Sequence, residues 1–307
     1  MSRLEHAPLA PLGPVVIGGL GGSATRVYAH LLRRAGYYLG SCLNEPCDNL
    51  WATLLLKRRY ELLEDPRRAR VALGLLRRKL SGEGRASLAE QLVLWRTART
   101  VARHGHGEDG QGAGPWARRI ARDLFLARAP RPGSYQGWGF KEPNAHVFLE
   151  HLAACYDDLR FVYVARHGLD MAFSSNLNQL RNWGPLYGVE VPTEPEQLPS
   201  AQLDYWIAAT RTALERGRRL LGDRFLLVRY DELFPDPQPQ LEAYAAFLGV
   251  EAASFGTPEA RGWVRRSDSV GRYLERDLGQ FTDRQLRSVE DLGFRVEASP
   301  PVLPPSS

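Results

Sequence analysis

Apolar residues along the chain follow two spacings. Pro14-Val15-Val16-Ile17 is a short β-branched run bounded by turn residues, the pattern of a strand buried in a parallel sheet. Gly18 to Ser23 interrupts it, and from Thr25 onward Val27, Leu31, Leu32 and Ala35 recur at helical spacing until Gly36 stops the helix. Residues 48–126 read as mostly helical, with Leu54, Leu55, Leu62, Leu73, Leu76 and Leu80 at spacings of three and four and breaks at Pro66 and Gly82 to Gly84. Strand character returns at 161–165 and 225–228, each after a helical pattern, 147–155 and 201–221. A proline-rich loop is expected over 192–199 and a further helix over 241–248.

Strands alternating with helices predict βαβ units. The expected class is α/β, a P-loop-like parallel sheet flanked by helices, with a helical insertion at about 48–135. Residues 1–307 read as a single domain ending in a flexible tail over 298–307, since neither an internal repeat nor a shift of composition marks a boundary. The glycine-rich stretch around His104 and His106 has no apolar periodicity and reads as a mobile loop rather than a metal site.

Composition narrows the function. With 44% hydrophobic and 24% charged residues in 307, the chain can bury a full core and is neither disordered nor fibrous. No apolar run approaches the ~20 residues of a membrane-spanning helix, and the start lacks a secretory leader, so a cytoplasmic protein is expected. Cys42, Cys47 and Cys155 carry no zinc or disulfide spacing and read as free thiols. The net charge of +5 is mild, and no basic stripe interleaved with aromatics suggests nucleic acid. Only Lys57, Lys79 and Lys141 are lysines among 40 basic residues, which makes Lys141 conspicuous.

The chemistry starts at the first turn. Gly18-Gly19-Leu20-Gly21-Gly22-Ser23-Ala24-Thr25-Arg26 joins a strand to a helix, where backbone N–H groups and the positive helix end can meet an anion. It lacks the lysine of a Walker A loop and does not fit GxGxxG. It resembles the phosphosulfate loop of sulfotransferases that use PAPS (3'-phosphoadenosine 5'-phosphosulfate), bacterial and Golgi types included. Phe161-Val162-Tyr163-Val164-Ala165-Arg166 with Asp170 and Ser174 resembles that family's second signature, a strand followed by R-x-x-x-D and a serine. Leu227-Val228-Arg229-Tyr230-Asp231-Glu232-Leu233 looks like its "RYEDL" segment, read as architecture without chemistry. Residues 265–273 are similar to the loop that closes over the nucleotide.

The resemblance implies PAPS as donor co-substrate, no metal, and a small-molecule acceptor hydroxyl, natural-product or glycosidic, in a bacterial cell. It implies donor contacts from Gly19, Gly21, Gly22, Ser23, Ala24, Thr25 and Arg26, and from Arg166, Ser174, Ser269, Gly271 and Arg272. Glu45, in a G-x-E-P-like segment, is the expected general base, with His146, His30 and Asp48 as alternatives. Lys141, in a K-x-P-like segment, is the expected active-site cation. One departure is Gly22, where many members carry lysine or arginine. Nucleic-acid and membrane partners are not expected. A divergent nucleotide kinase and a non-catalytic module binding PAP (3'-phosphoadenosine 5'-phosphate) remain the alternatives. Trp51, Trp95, Trp116, Trp183 and Tyr187 either line an acceptor pocket or belong to the core.

Overall fold

The computed structural model describes residues 12–57, 59–83, 85–104, 113–128, 130–131, 133–234 and 236–297. The expectations for the leader, the 105–112 stretch and the tail lie outside them. Five strands form one sheet, β1 (Leu12–Gly18), β2 (Tyr37–Tyr38), β3 (Gly137–Lys141), β4 (Arg160–Ala165) and β5 (Phe225–Arg229), in the order β2-β3-β1-β4-β5 with every pairing parallel. The parallel α/β architecture is therefore the expected one.

Side chains alternate across the sheet with the two-residue period of a strand. Val15, Ile17, Val162, Val164 and Val228 pack on one face against α1 (Thr25–Arg34) and α11 (Gln238–Leu248). Val16, Phe140, Phe161 and Tyr163 pack on the other, against α7 (Leu149–Cys155), α10 (Leu198–Leu221) and the insertion. Each such side chain contributes roughly 1.5–3 kcal/mol by leaving water.

The insertion comprises α2 (Leu50–Leu56), α3 (Arg59–Glu64), α4 (Pro66–Ser81), α5 (Leu88–His104) and α6 (Ala113–Leu126). Its boundaries follow local chemistry. Asn49 caps α2 by accepting from Ala52 N–H at 2.9 Å, Asp65 caps α4 ahead of Pro66, and Gly82 closes α4 in the left-handed conformation. Trp51 and Trp116, fully buried, are the centre of this layer rather than pocket walls.

Two strands were not signalled by the sequence. β2 has two residues, too few for any pattern. β3 reads Gly-Trp-Gly-Phe-Lys, and a Cβ at Gly139 would stand 2.1 Å from the Val15 carbonyl oxygen, so close approach to β1 excludes the β-branched residues that mark a buried strand.

Candidate functional site

Four groups lie at or just beyond the carboxyl end of a parallel strand, where an α/β sheet presents its ligand crevice. The phosphate loop follows β1, Lys141 ends β3, Arg166 follows β4 and Tyr230 follows β5. Two clefts open there, of about 540 Å³ and 290 Å³, and they share Gly22 and Arg166.

The loop is shaped by backbone contacts. A Cβ at Gly19 would come within 2.3 Å of the Val164 carbonyl oxygen, so the turn lies directly on β4. Ser23 N–H donates to the Leu20 carbonyl at 3.1 Å, and Ala24 turns the chain into α1 at φ 62 with no side-chain cap. Val27 N–H donates to the Ala24 carbonyl at 3.1 Å, and Ala24, Thr25, Arg26 and Val27 of this first turn line the larger cleft. Ser23 is buried, and its hydroxyl has no hydrogen-bond partner.

The smaller cleft is organised by Asp170 in α8 (Gly168–Ala172). Its carboxylate accepts from Gly271 N–H at 2.8 Å and Tyr273 N–H at 3.2 Å, and lies 3.7 Å from the Arg166 guanidinium. One buried carboxylate thus ties the 269–273 loop to the end of β4. Arg166 is 5% exposed, yet its Nε and Nη2 have no hydrogen-bond partner. Arg272 is anchored by donating to the Ser269 and Phe173 carbonyls at 3.2 and 3.3 Å. Ser174, Ser269 and Arg272 all line this cleft with Arg166. Buried polar groups without partners are rare in folded proteins. Here Ser23 Oγ, in the loop whose Gly22 and Ala24 line the larger cleft, and two nitrogens of Arg166, which lines both clefts, have none, and such donors suit an anionic ligand.

The larger cleft brings together Arg26, His30, Glu45, Asp48 and Lys141. Glu45 is exposed toward it. The Lys141 ammonium is buried and bound by the Asp48 carboxylate, with the Pro46 carbonyl at 3.3 Å. Asp48 in turn exchanges two hydrogen bonds with Asn44 at 2.7 and 2.9 Å. Lys141 therefore grips the turn that carries Glu45. His30 stacks on Trp263 with ring centroids 5.0 Å apart, and burial, then the Arg33 and Arg26 charges, lower its pKa.

His146 is not brought to the cleft. It is buried against Tyr163, neither ring nitrogen has a partner, and burial lowers its pKa to about 3. The ring is neutral and has no contact with either cleft.

Four lining groups lay outside the sequence reading. Tyr230, from the segment given no chemistry, lines the larger cleft, and its hydroxyl donates to the Arg265 carbonyl at 2.6 Å. Its position one residue past a parallel strand was the available signal. Gln179 and Gln202 enter the smaller cleft. Trp263 reaches His30 from near the other end of the chain, which no local pattern announces. Trp183 lines a neighbouring pocket of about 230 Å³ that also borders Pro143, whereas Trp95 is exposed.

Among the described residues no helix is long and apolar enough to cross a membrane, and no three His, Cys, Asp or Glu side chains gather as a metal would require. The sheet, its crevice and the loop define a P-loop-like parallel α/β fold. A model described as the sulfotransferase family matches residues 14–254, and the chain belongs to that family. Among solved structures it is similar to the sulfotransferase domain of the Synechococcus PCC 7002 olefin synthase (14% identity, 96% of this chain and 99% of that chain, TM-score 0.46). It is also similar to the sulfotransferase domain of the curacin biosynthetic pathway (13%, 94% and 100%, 0.46). A third is sulfotransferase STF1 from Mycobacterium tuberculosis H37Rv (17%, 83% and 71%, 0.41). No curated protein matches the chain.

Proposed function

We propose that the protein transfers a sulfuryl group from PAPS to a hydroxyl of a small-molecule acceptor. The observation that carries this reading is the buried Arg166 guanidinium, whose Nε and Nη2 have no hydrogen-bond partner though Asp170 stands 3.7 Å away, at the junction of two clefts and beside a loop tied down by that carboxylate. A buried cation with free donors suits a doubly charged phosphate, and the 3'-phosphate is the group that separates PAPS from common nucleotides.

In this reading Gly19, Gly21, Gly22, Ser23, Ala24, Thr25 and Arg26 hold the 5'-phosphosulfate with loop N–H groups, hydroxyls and one guanidinium. Arg166, Ser174, Ser269 and Arg272 hold the 3'-phosphate, and Gly271, whose N–H is taken by Asp170, positions the loop that carries Ser269 and Arg272. Glu45 takes the acceptor proton as the hydroxyl oxygen bonds to sulfur and the bond to the 5'-phosphate breaks. Lys141 keeps Glu45 in reach by binding Asp48 and Pro46, and Arg26 supplies the leaving-group charge that Gly22 cannot. His30 is the second candidate base, because its lowered pKa keeps the ring able to accept a proton at neutral pH.

The test is incubation with PAPS and a panel of hydroxylated small molecules, read by mass spectrometry. A sulfate adduct formed together with PAP is expected. Phosphate transfer from ATP with magnesium, in place of sulfate transfer, would return the kinase alternative.

A further inference from the structure

The outward face of the α5–α6 pair plays no part in the site, and two independent features mark it. The first is apolar. Leu88, Leu92 and Trp95 occupy one stripe of α5, and Leu88 is 84% and Leu92 50% exposed. Phe125 and Leu126 end α6, with Leu126 61% exposed, and the Phe125 ring stands 6.0 Å from that of Trp95. The Trp95–Phe125 contact therefore joins the exposed stripe of α5 to the exposed end of α6. Isolated exposed leucines are ordinary, but a contiguous group of this size marks a contact surface.

The second feature is charge. Residues 85–131 hold nine arginines against four acids, a surplus equal to the +5 of the whole chain. Two of those acids are engaged internally: Glu90 is bonded to Arg78, and Asp123 accepts from Trp51 Nε1 at 2.7 Å. The other two, Glu108 and Asp109, fall in the stretch between the helices. Arg96 and Arg99 continue the apolar stripe of α5, and Arg122 lies one turn before Leu126. Arg85, Arg128 and Arg131 flank the cluster at its other end, and all six are exposed.

We propose that this face docks the protein on an anionic lipid surface. Leucine and aromatic tips rimmed by guanidinium groups are the arrangement of an interfacial helix, whose apolar side chains enter the acyl boundary while the cations meet phosphates. This contact departs from the expectation of no membrane partner, and it needs no spanning segment. It is independent of the donor and acceptor assignments, because no residue of the face lines the clefts.

The test is co-sedimentation of the full chain with vesicles of phosphatidylcholine alone and of phosphatidylcholine mixed with phosphatidylglycerol. Binding to the mixed vesicles, weakened by salt, is expected. Arg99→Ala should weaken it about fivefold, the value of one basic residue near such a surface. Leu92→Asn with Phe125→Ser should abolish it while leaving the melting temperature and its shift by PAP unchanged. Trp95 fluorescence, taken as the difference from Trp95→Phe, should move to shorter wavelength on the mixed vesicles. Absence of binding to the mixed vesicles at low salt would overturn the proposal. So would binding that ignores the Leu92→Asn and Phe125→Ser changes, or self-association in solution that the same changes dissolve, which would assign the face to a second copy.

Discussion

The two clefts are built in opposite ways. On the Arg166 side the backbone is fixed and hydrogen-bond donors are left over: Asp170 accepts from the 271 and 273 N–H groups and lies 3.7 Å from Arg166, whose buried Nε and Nη2 have no hydrogen-bond partner. On the Glu45 side Lys141 is paired with Asp48 and Asp48 is held by Asn44, while Glu45 is the exposed carboxylate, with Arg26 exposed in the same cleft. In the proposed reading an anion from outside completes the first arrangement. The second already holds its shape and presents one carboxylate. A donor site and a site for proton transfer differ in this respect, since one must bind charge tightly and the other must position a single group.

Substitutions can separate the two sides. Glu45→Gln should lower turnover by about 10²- to 10⁴-fold, the usual worth of a general base, with PAP affinity unchanged. Loss of PAP binding in that variant would erase the distinction between the clefts, and full activity would move the base to His30. Arg166→Ala should weaken PAP roughly 10- to 150-fold, from the loss of charge-assisted hydrogen bonds of about 1.5–3 kcal/mol; titration calorimetry reads this, and unchanged affinity would remove the 3'-phosphate role. Gly19→Ala acts on the shared loop. Its methyl group meets the Val164 carbonyl, so a loss of roughly 1–3 kcal/mol in stability is expected, read by thermal melting, with both binding and turnover affected.

The smallest effect concerns His146, whose unpartnered ring lies outside both clefts. Its folded pKa of about 3 lies below its ordinary 6.5, so the unfolded chain binds the extra proton between these values. Its contribution to stability is therefore complete above about pH 6.5 and is lost as pH falls toward 3. His146→Leu should flatten that part of the pH–stability curve and leave turnover near wild type. A large fall in turnover would restore the ring to the chemistry.

The sheet and the donor loop were legible because both are local. A β-branched run, a glycine-rich turn and a helical stripe are written within about twenty residues, and Arg166 sits at the end of a second such run. β3 was not legible, because the carbonyl of Val15 demands glycine at position 139 and so removes the strand's signature. The other cleft was legible only in part. Glu45 and Lys141 drew attention as residue types, but the Asp48 bridge between them and the stacking of Trp263 on His30 are tertiary contacts without a local trace. His146 attracted notice for its residue type, and burial behind β4 withdraws it from the cleft.

The central claim is that the junction at Arg166 recognises a nucleotide by its 3'-phosphate. Thermal melting of the wild-type chain with PAP and with 5'-AMP, at equal concentration and without divalent cation, tests it most directly, since a ligand that binds only the folded state raises the melting temperature with its affinity. The account predicts a clear rise with PAP and little or none with AMP, and a rise with PAP that disappears in Arg166→Ala. Equal stabilisation by the two nucleotides, or stabilisation by ATP with magnesium alone, would contradict it.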